Sequence, residues 1–138
     1  MTDAIVDSNV LVDVWLQNPR WADWSIRAMA WARGQGDLIV NQIILAEVSV
    51  PFDAPGDVDV AMALHLFRRD SLPWEAAFIA GKAFAKYRDR GGSRHSPMPD
   101  FYIGAHAEVK GFRLVTRDHN RYRTYFPSVE LISPETHP

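Results

Sequence analysis

Four acidic residues of this 138-residue chain fall where a folded domain ordinarily places neutral or apolar side chains. Asp7 closes the apolar run Ala4-Ile5-Val6, and Asp118 follows Leu114-Val115 after only Thr116-Arg117. Glu47 lies three or four positions from Ile43, Ile44, Val50 and Pro51, so a helix there puts its carboxylate on their face. Asp100 shares a helical face with Ile103, Gly104 and Ala107, of which Gly104 and Ala107 are small enough to let that helix approach the sheet closely. Taken singly, Asp7 and Asp118 read equally well as helix caps. Asp100, after Pro99, reads as a first-turn acid favoured by the helix dipole. Glu47 resists a bland reading, because an acid on a core-facing stripe must be paired, protonated or metal-bound.

Jointly, the four acids pose an electrostatic problem. Carboxylates converging without a cation repel one another and raise their own pKa values, and a divalent ion removes the conflict. The chain has no cysteine, and His65, His95, His106, His119 and His137 show no paired metal spacing. An oxygen-only donor set points to Mg²⁺ or Mn²⁺ and away from zinc. Such ions bind phosphate oxygens, activate water and stabilise the leaving oxygen of a phosphodiester. Other chemistries lack their residues. Ser8, Ser49 and Ser93 have no GxSxG context, and Gly91-Gly92 is too short for a phosphate-cradling loop. His106, six residues from Asp100, lies about 240° round a helix from it and is no candidate base. An aspartyl-phosphate phosphatase would want a second acid at Asn9. A phosphoacceptor receiver domain would want paired acids at the first strand and a lysine where Arg117 stands. A non-catalytic nucleic-acid-binding module remains as an alternative, as does a metal-dependent phosphatase, but the former leaves the acids unexplained.

The formal net charge of −2 conceals a segregation. Residues 1–81 carry 5 basic and 11 acidic side chains, and residues 82–123 carry 10 basic and 4 acidic. A basic stretch from Lys82 through Arg94 to Arg123 suits a polyanion. Arg88, Arg90, Arg94, Arg117, Arg121 and Arg123 are candidate phosphate contacts, each read equally well as solvated surface when taken alone. An acidic pocket beside a basic rim implies a nuclease. Hydrophobic residues make up 47% of the chain, which matches a globular core, and no apolar run is long enough for a membrane-spanning helix. The N-terminus meets Asp3 and Asp7 at once, unlike a secretory signal, so a single cytoplasmic domain over residues 1–138 is the expectation.

To position the acids, the sequence predicts strands at Ala4–Val6, Leu38–Val40, Phe112–Thr116 and Val129–Ile132. Helices are predicted over Asn9–Leu16, from Asn18-Pro19 to Gly34 or Gly36, over Ile43–Val50 and over Val58–Arg69 capped by Asp57. Further helices should cover Pro73–Arg88 after Ser71, Asp100–Lys110, and Asp118–Tyr125. Arg90–Pro99 reads as a loop. Trp21, Trp24 and Trp31 fall on one stripe and read as core or interface. The result is an α/β fold, a small, mostly parallel sheet flanked by helices on both faces. Its ligand site would lie beyond the C-terminal ends of the strands.

Ile5-Val6-Asp7-Ser8-Asn9-Val10-Leu11, Glu47-Val48, Pro99-Asp100-Phe101-Tyr102-Ile103-Gly104-Ala105-His106-Ala107 and Leu114-Val115-Thr116-Arg117-Asp118 resemble, in order, the successive motifs of PIN-domain ribonucleases. The tail Arg121-Tyr122-Arg123-Thr124-Tyr125-Phe126-Pro127 is similar to endings in the VapC toxin branch. The resemblance spans roughly residues 3–132. It implies an endoribonuclease dependent on Mg²⁺ or Mn²⁺, hydrolysing RNA with metal-activated water to leave 5′-phosphate ends. Asp7, Glu47 and Asp100 would be the main acidic set, and Asp118, which is Asn in some relatives, would complete it. Asn9 and Thr116 match polar positions beside the acids. The resemblance further implies a homodimer and a small antitoxin partner, which alone would contact operator DNA.

Overall fold

The computed structural model describes residues 2–92 and 98–138. Fourteen residues of strand are shared among β1 (Ala4–Val6), β2 (Leu38–Val40), β3 (Phe67–Arg69), β4 (Arg113–Val115) and β5 (Leu131–Ile132), each two or three residues long. Between them run helices α1 (Ser8–Trp15), α2 (Ala22–Arg33), α3 (Gln42–Ser49), α4 (Pro55–Met62), α5 (Trp74–Asp89), α6 (Met98–Lys110) and α7 (His119–Tyr125). The strands form one sheet in the order β3-β2-β1-β4-β5, with every pairing parallel. Ile5 sits opposite Ile39 on one side and Leu114 on the other. β1, β2 and β4 are buried throughout, because helices cover both faces and leave no solvent side for polar alternation.

β3 corrects the sequence reading, which extends one helix from Val58 to Arg69. α4 ends at Met62, and Ala63 turns the chain with φ +45° in the left-handed region. A single 3₁₀ turn, Leu64–Leu66, then leads into β3. Glycine is the usual residue at such a stop, and an alanine there carries no sequence signal. β3 is an edge strand with two arginines facing water. Arg68 bonds Asp3 and Asp37 across the neighbouring strand ends, and this charge guards the open edge.

Other boundaries shift less. α4 begins at Pro55, which puts Asp57 in its first turn, and Pro73 occupies the N-cap of α5 with no side-chain cap bond from Ser71 or any other residue there. Asn18 does organise the entry to α2, its Oδ1 accepting from the amides of Arg20 and Trp21. Gly104 allows a close approach, as its small size requires, but to Phe126 and not to the sheet. An added Cβ would lie 2.4 Å from that ring.

The strand order places a reversal at the sheet centre. From β1 the chain moves outward through β2 to β3, then crosses back to β4 and β5. Beyond the C-terminal ends of β1 and β4 the connections diverge, which opens the crevice where ligands bind in open parallel sheets. Asp7 and Thr116 stand at those two strand ends.

Candidate active site

Asp7 extends the ladder by one residue, its amide donating to the Val115 carbonyl at 2.9 Å, and so enters the crevice with a fixed backbone. It occupies the N-cap of α1 yet makes no capping bond. Its buried carboxylate turns instead to three side-chain donors that meet on Oδ2: Thr116 Oγ1 at 2.8 Å, Tyr122 Oη at 3.1 Å and, more weakly, Asn9 Nδ2 at 3.4 Å. Thr116 is locked in turn, since its Oγ1 accepts from the Asp118 amide at 3.0 Å and its own amide donates to the Ile132 carbonyl. Asn9 Oδ1 accepts from the Arg117 amide at 3.4 Å.

Glu47 arrives from α3, where the apolar face differs from the sequence expectation. Ile44 and Val48 are buried, whereas Val50 is 84% exposed and Pro51 is also exposed. Glu47 is therefore half-buried at the edge of that face, and Ser8 Oγ donates to its Oε1 at 3.0 Å. Asp100 stands in the first turn of α6 and Asp118 at the N-cap of α7, again without a capping bond. One nitrogen, Arg121 Nη1, bridges them at 2.6 Å from Asp100 Oδ2 and 3.2 Å from Asp118 Oδ2.

The electrostatics show which acids share a field. Burial pushes Asp7 up to about 7, Asp100 and Glu47 push it further, and the Thr116 and Tyr122 bonds act against the rise. Glu47 is raised by burial and by Asp100, against the Ser8 bond. Asp100 is raised by burial and by Asp118, even though Arg121 opposes the shift. Burial works against the charge on Arg121, but its bond to Asp100 and the two carboxylates hold it above its usual range. Tyr122 is raised by burial and by the charges of Asp7 and Asp100, so its phenol remains a donor.

Of the candidate phosphate contacts, Arg121 joins this cluster and Arg117 does not. Arg117 forms a two-pronged pair with Asp13, including Nη2 to Oδ1 at 2.9 Å, and lies over the Trp21 ring at 5.4 Å. Asp13 is buried on α1 and also accepts from Ser25 Oγ at 3.2 Å. Arg94 lies outside the described residues, and the expected 90–99 loop ends early, because α6 already includes Met98 and Pro99, proline being tolerated in a first helical turn. His106 is buried away from the acids. Asn41 Oδ1 accepts the Ile44 amide, so Asn41 Nδ2 donates to His106 Nδ1 at 2.9 Å and leaves the ring proton on Nε2.

Among the described residues, no group of three or more Asp, Glu, His or Cys side chains is packed closely enough to hold an ion in this conformation. The chemistry of the donors nevertheless fits a hard divalent cation. Asp7, Glu47 and Asp100 are oxygen donors drawn from three elements, each raised in pKa by burial and by carboxylate neighbours, the state that a bound cation relieves. Sequence reasoning missed Ser8, Tyr122 and Asp13. A serine or tyrosine hydroxyl carries no periodic signal, and the partner that marks Asp13, Arg117, stands 104 residues away.

The PIN domain family model matches residues 4–127. The chain belongs to the PIN domain family. Members of this family are generally nucleases. No curated protein sequence matches the chain significantly. Among solved structures, the fold is similar to VapBC2 from Rickettsia felis bound to a DNA fragment from their promoter, with TM-score 0.70 and 16% identity over 95% of this PIN chain and 98% of that one. It is also similar to FitAcB from Neisseria gonorrhoeae, with TM-score 0.66 and 21% identity over 98% and 99% of the two chains. A toxin-antitoxin complex from Klebsiella pneumoniae gives TM-score 0.61 and 23% identity over 95% and 97%. Among the described residues of this PIN domain, no helix is long and apolar enough to cross a membrane.

Proposed function

We propose that this PIN domain is an endoribonuclease dependent on Mg²⁺ or Mn²⁺ that acts as the toxin of a toxin–antitoxin pair. The observation that carries the reading is the convergence of Asp7, Glu47 and Asp100 in one crevice, where burial raises all three, Asp100 raises the other two further, and Asp118 raises Asp100. Evenly solvated surface acids would not show it. Asp7, Glu47 and Asp100 would hold the ion, with Asp118 beside them. When bound, a divalent ion neutralises phosphodiester oxygens and makes water acidic enough to attack at neutral pH.

The chain's own residues supply the rest. Thr116 and Tyr122 fix the Asp7 carboxylate through Oδ2, and Ser8 fixes Glu47. Tyr122 is fully buried against Asp7, with the buried Phe126 ring packed on it, and would exclude water from that side. The exposed cations Arg88, Arg90 and Arg123, from the basic half of the chain, would meet the nucleic-acid backbone. Arg117, committed to Asp13, would act by holding Asn9 and the 116–118 turn in place.

The proposed antitoxin partner is supported by fold neighbours that include a toxin-antitoxin complex and a VapBC2 complex on promoter DNA. A small antitoxin, and operator contact through it, are proposed here on that likeness; the homodimer is proposed on the resemblance of the sequence motifs alone. The test is cleavage of a structured RNA and a matched single-stranded DNA by wild type and Asp7→Asn, each with Mg²⁺, Mn²⁺ or EDTA. Metal-dependent RNA cuts with 5′-phosphate ends, lost in the variant, are expected. Nucleic-acid binding with neither cleavage nor metal uptake would instead favour a non-catalytic binding module.

A further inference from the structure

We propose that Arg121 is the resident counter-cation of the acid pocket, and that a divalent ion enters by displacing its guanidinium from Asp100. The inference rests on the metal-dependent reading above and adds to it a control on when the metal binds. Its basis is the bridge itself: a single nitrogen, Nη1, lies 2.6 Å from Asp100 Oδ2 and 3.2 Å from Asp118 Oδ2. Among the described residues, Arg121 is the one Lys or Arg paired with any of Asp7, Glu47, Asp100 or Asp118. The side chain is 31% exposed, so it has a route to solvent, whereas Asp100 is held in the crevice at 21%.

Two cations cannot share this place without cost. A carboxylate oxygen bonded at 2.6 Å by a guanidinium has committed its best lone pair. A divalent ion taking Asp100 would also repel the adjacent positive charge. Metal and Arg121 therefore compete, and the competition is reciprocal: whatever loosens Arg121 tightens the metal, by the same factor. Release need not carry Arg121 away from the site, because Asp118, three residues before it at the N-cap of α7, keeps hold of the guanidinium. The freed edge of that planar, multi-donor group is suited to a phosphate oxygen. A nucleic-acid phosphate that accepts Arg121 then favours metal binding, so substrate and metal reinforce each other.

The experiment is a Mn²⁺ titration of metal-free protein, with the unbound ion followed by electron paramagnetic resonance. Wild type is compared with Arg121→Gln, Arg121→Lys and Arg27→Gln, the last an exposed control on α2 with the same charge change as Arg121→Gln. Arg121→Gln is expected to bind Mn²⁺ about tenfold more tightly than wild type, within the usual range of coupling between two sites. Arg27→Gln should stay close to wild type, and Arg121→Lys should fall between, since an ammonium lacks the planar fork. Equal or weaker binding by Arg121→Gln would overturn the proposal and make Arg121 a support for the ligand geometry. If circular dichroism shows Arg121→Gln unfolded, the comparison passes to Arg121→Lys, and affinity at or below wild type overturns it. If wild type and every variant fail to take up Mn²⁺, the metal-dependent reading itself falls, a result distinct from equal affinities.

Discussion

Replacing Asp7 by Asn should stabilise the metal-free protein at neutral and alkaline pH while abolishing cleavage. Asp7 has a folded-state pKa of about 7 against an ordinary value of 3.8. The folded state thus holds this proton more tightly than the unfolded chain does. The associated stability is fully present below about pH 4 and is lost as the pH rises through about 7. A rise of about three pKa units corresponds to about 4 kcal/mol, which is the free energy of forcing the buried carboxylate to ionise. Asparagine removes that cost and offers Thr116 and Tyr122 an amide oxygen in place of Oδ2. Its NH₂ needs a partner in the same crevice, so roughly half the gain, about 2 kcal/mol at pH 8, should survive. For a chain of this size that is roughly a 5–8 °C increase in Tm.

Thermal unfolding followed by circular dichroism in EDTA, from pH 5 to 8.5, measures this directly. Wild type should lose stability across the range, and Asp7→Asn should lose less of it, with the two curves meeting toward pH 5. Adding Mg²⁺ should reverse the order, because wild type alone gains strongly from the ion. A variant less stable than wild type at pH 8 in EDTA, with an unchanged pH slope, would refute the reasoning. Asp7 would then be an ordinary paired acid.

Three further substitutions probe the frame around the site. Asp13→Ala leaves the Arg117 guanidinium without its carboxylate and should cost about 3–5 kcal/mol in urea unfolding, whereas under 1 kcal/mol would mean the pair is freely solvated. Gly104→Ala places a methyl 2.4 Å from the Phe126 ring and should cost about 1–3 kcal/mol; an unchanged midpoint would show that the ring moves aside freely. Asn41→Ala removes both the cap on the Ile44 amide and the partner of His106 Nδ1, for a loss of about 2 kcal/mol in the same assay. No measurable loss would mean that water replaces both bonds.

Much of the frame was legible because it depends on local pattern. The fully apolar runs Ala4–Val6 and Leu38–Val40 read as buried parallel strands and are so. Asp7 and Thr116 were placed at strand ends by counting, and the sheet reversal brings those two ends together. What escaped the sequence was non-local or chemically unmarked. β3 is three residues with two arginines, reached through a left-handed alanine, and neither feature has a sequence signature. Asp13 looked like any helical acid, because its partner Arg117 stands 104 residues away. Tyr122 lies 115 residues from Asp7, so the bond that orients the central carboxylate appears in no local window.

The cap positions show why the acids needed to be weighed together. Asp7 and Asp118 both occupy N-cap positions, and either could have bonded the first turn of its helix. Neither does. Asp7 faces Thr116, Tyr122 and Asn9, and Asp118 faces Arg121, so two helix starts forgo a stabilising bond while their carboxylates turn toward one crevice. A structural role would have taken the cap, since the donors are adjacent and the geometry is common. Turning away from it adds to the burial and repulsion already borne by Asp7, Glu47 and Asp100. The fold tolerates this because donors on Thr116, Tyr122 and Ser8 and one guanidinium offset part of the cost. Local stability given up in the same direction by several elements is what a site prepared for an external cation requires, and it is the pattern that a set of unrelated caps and surface acids would not produce.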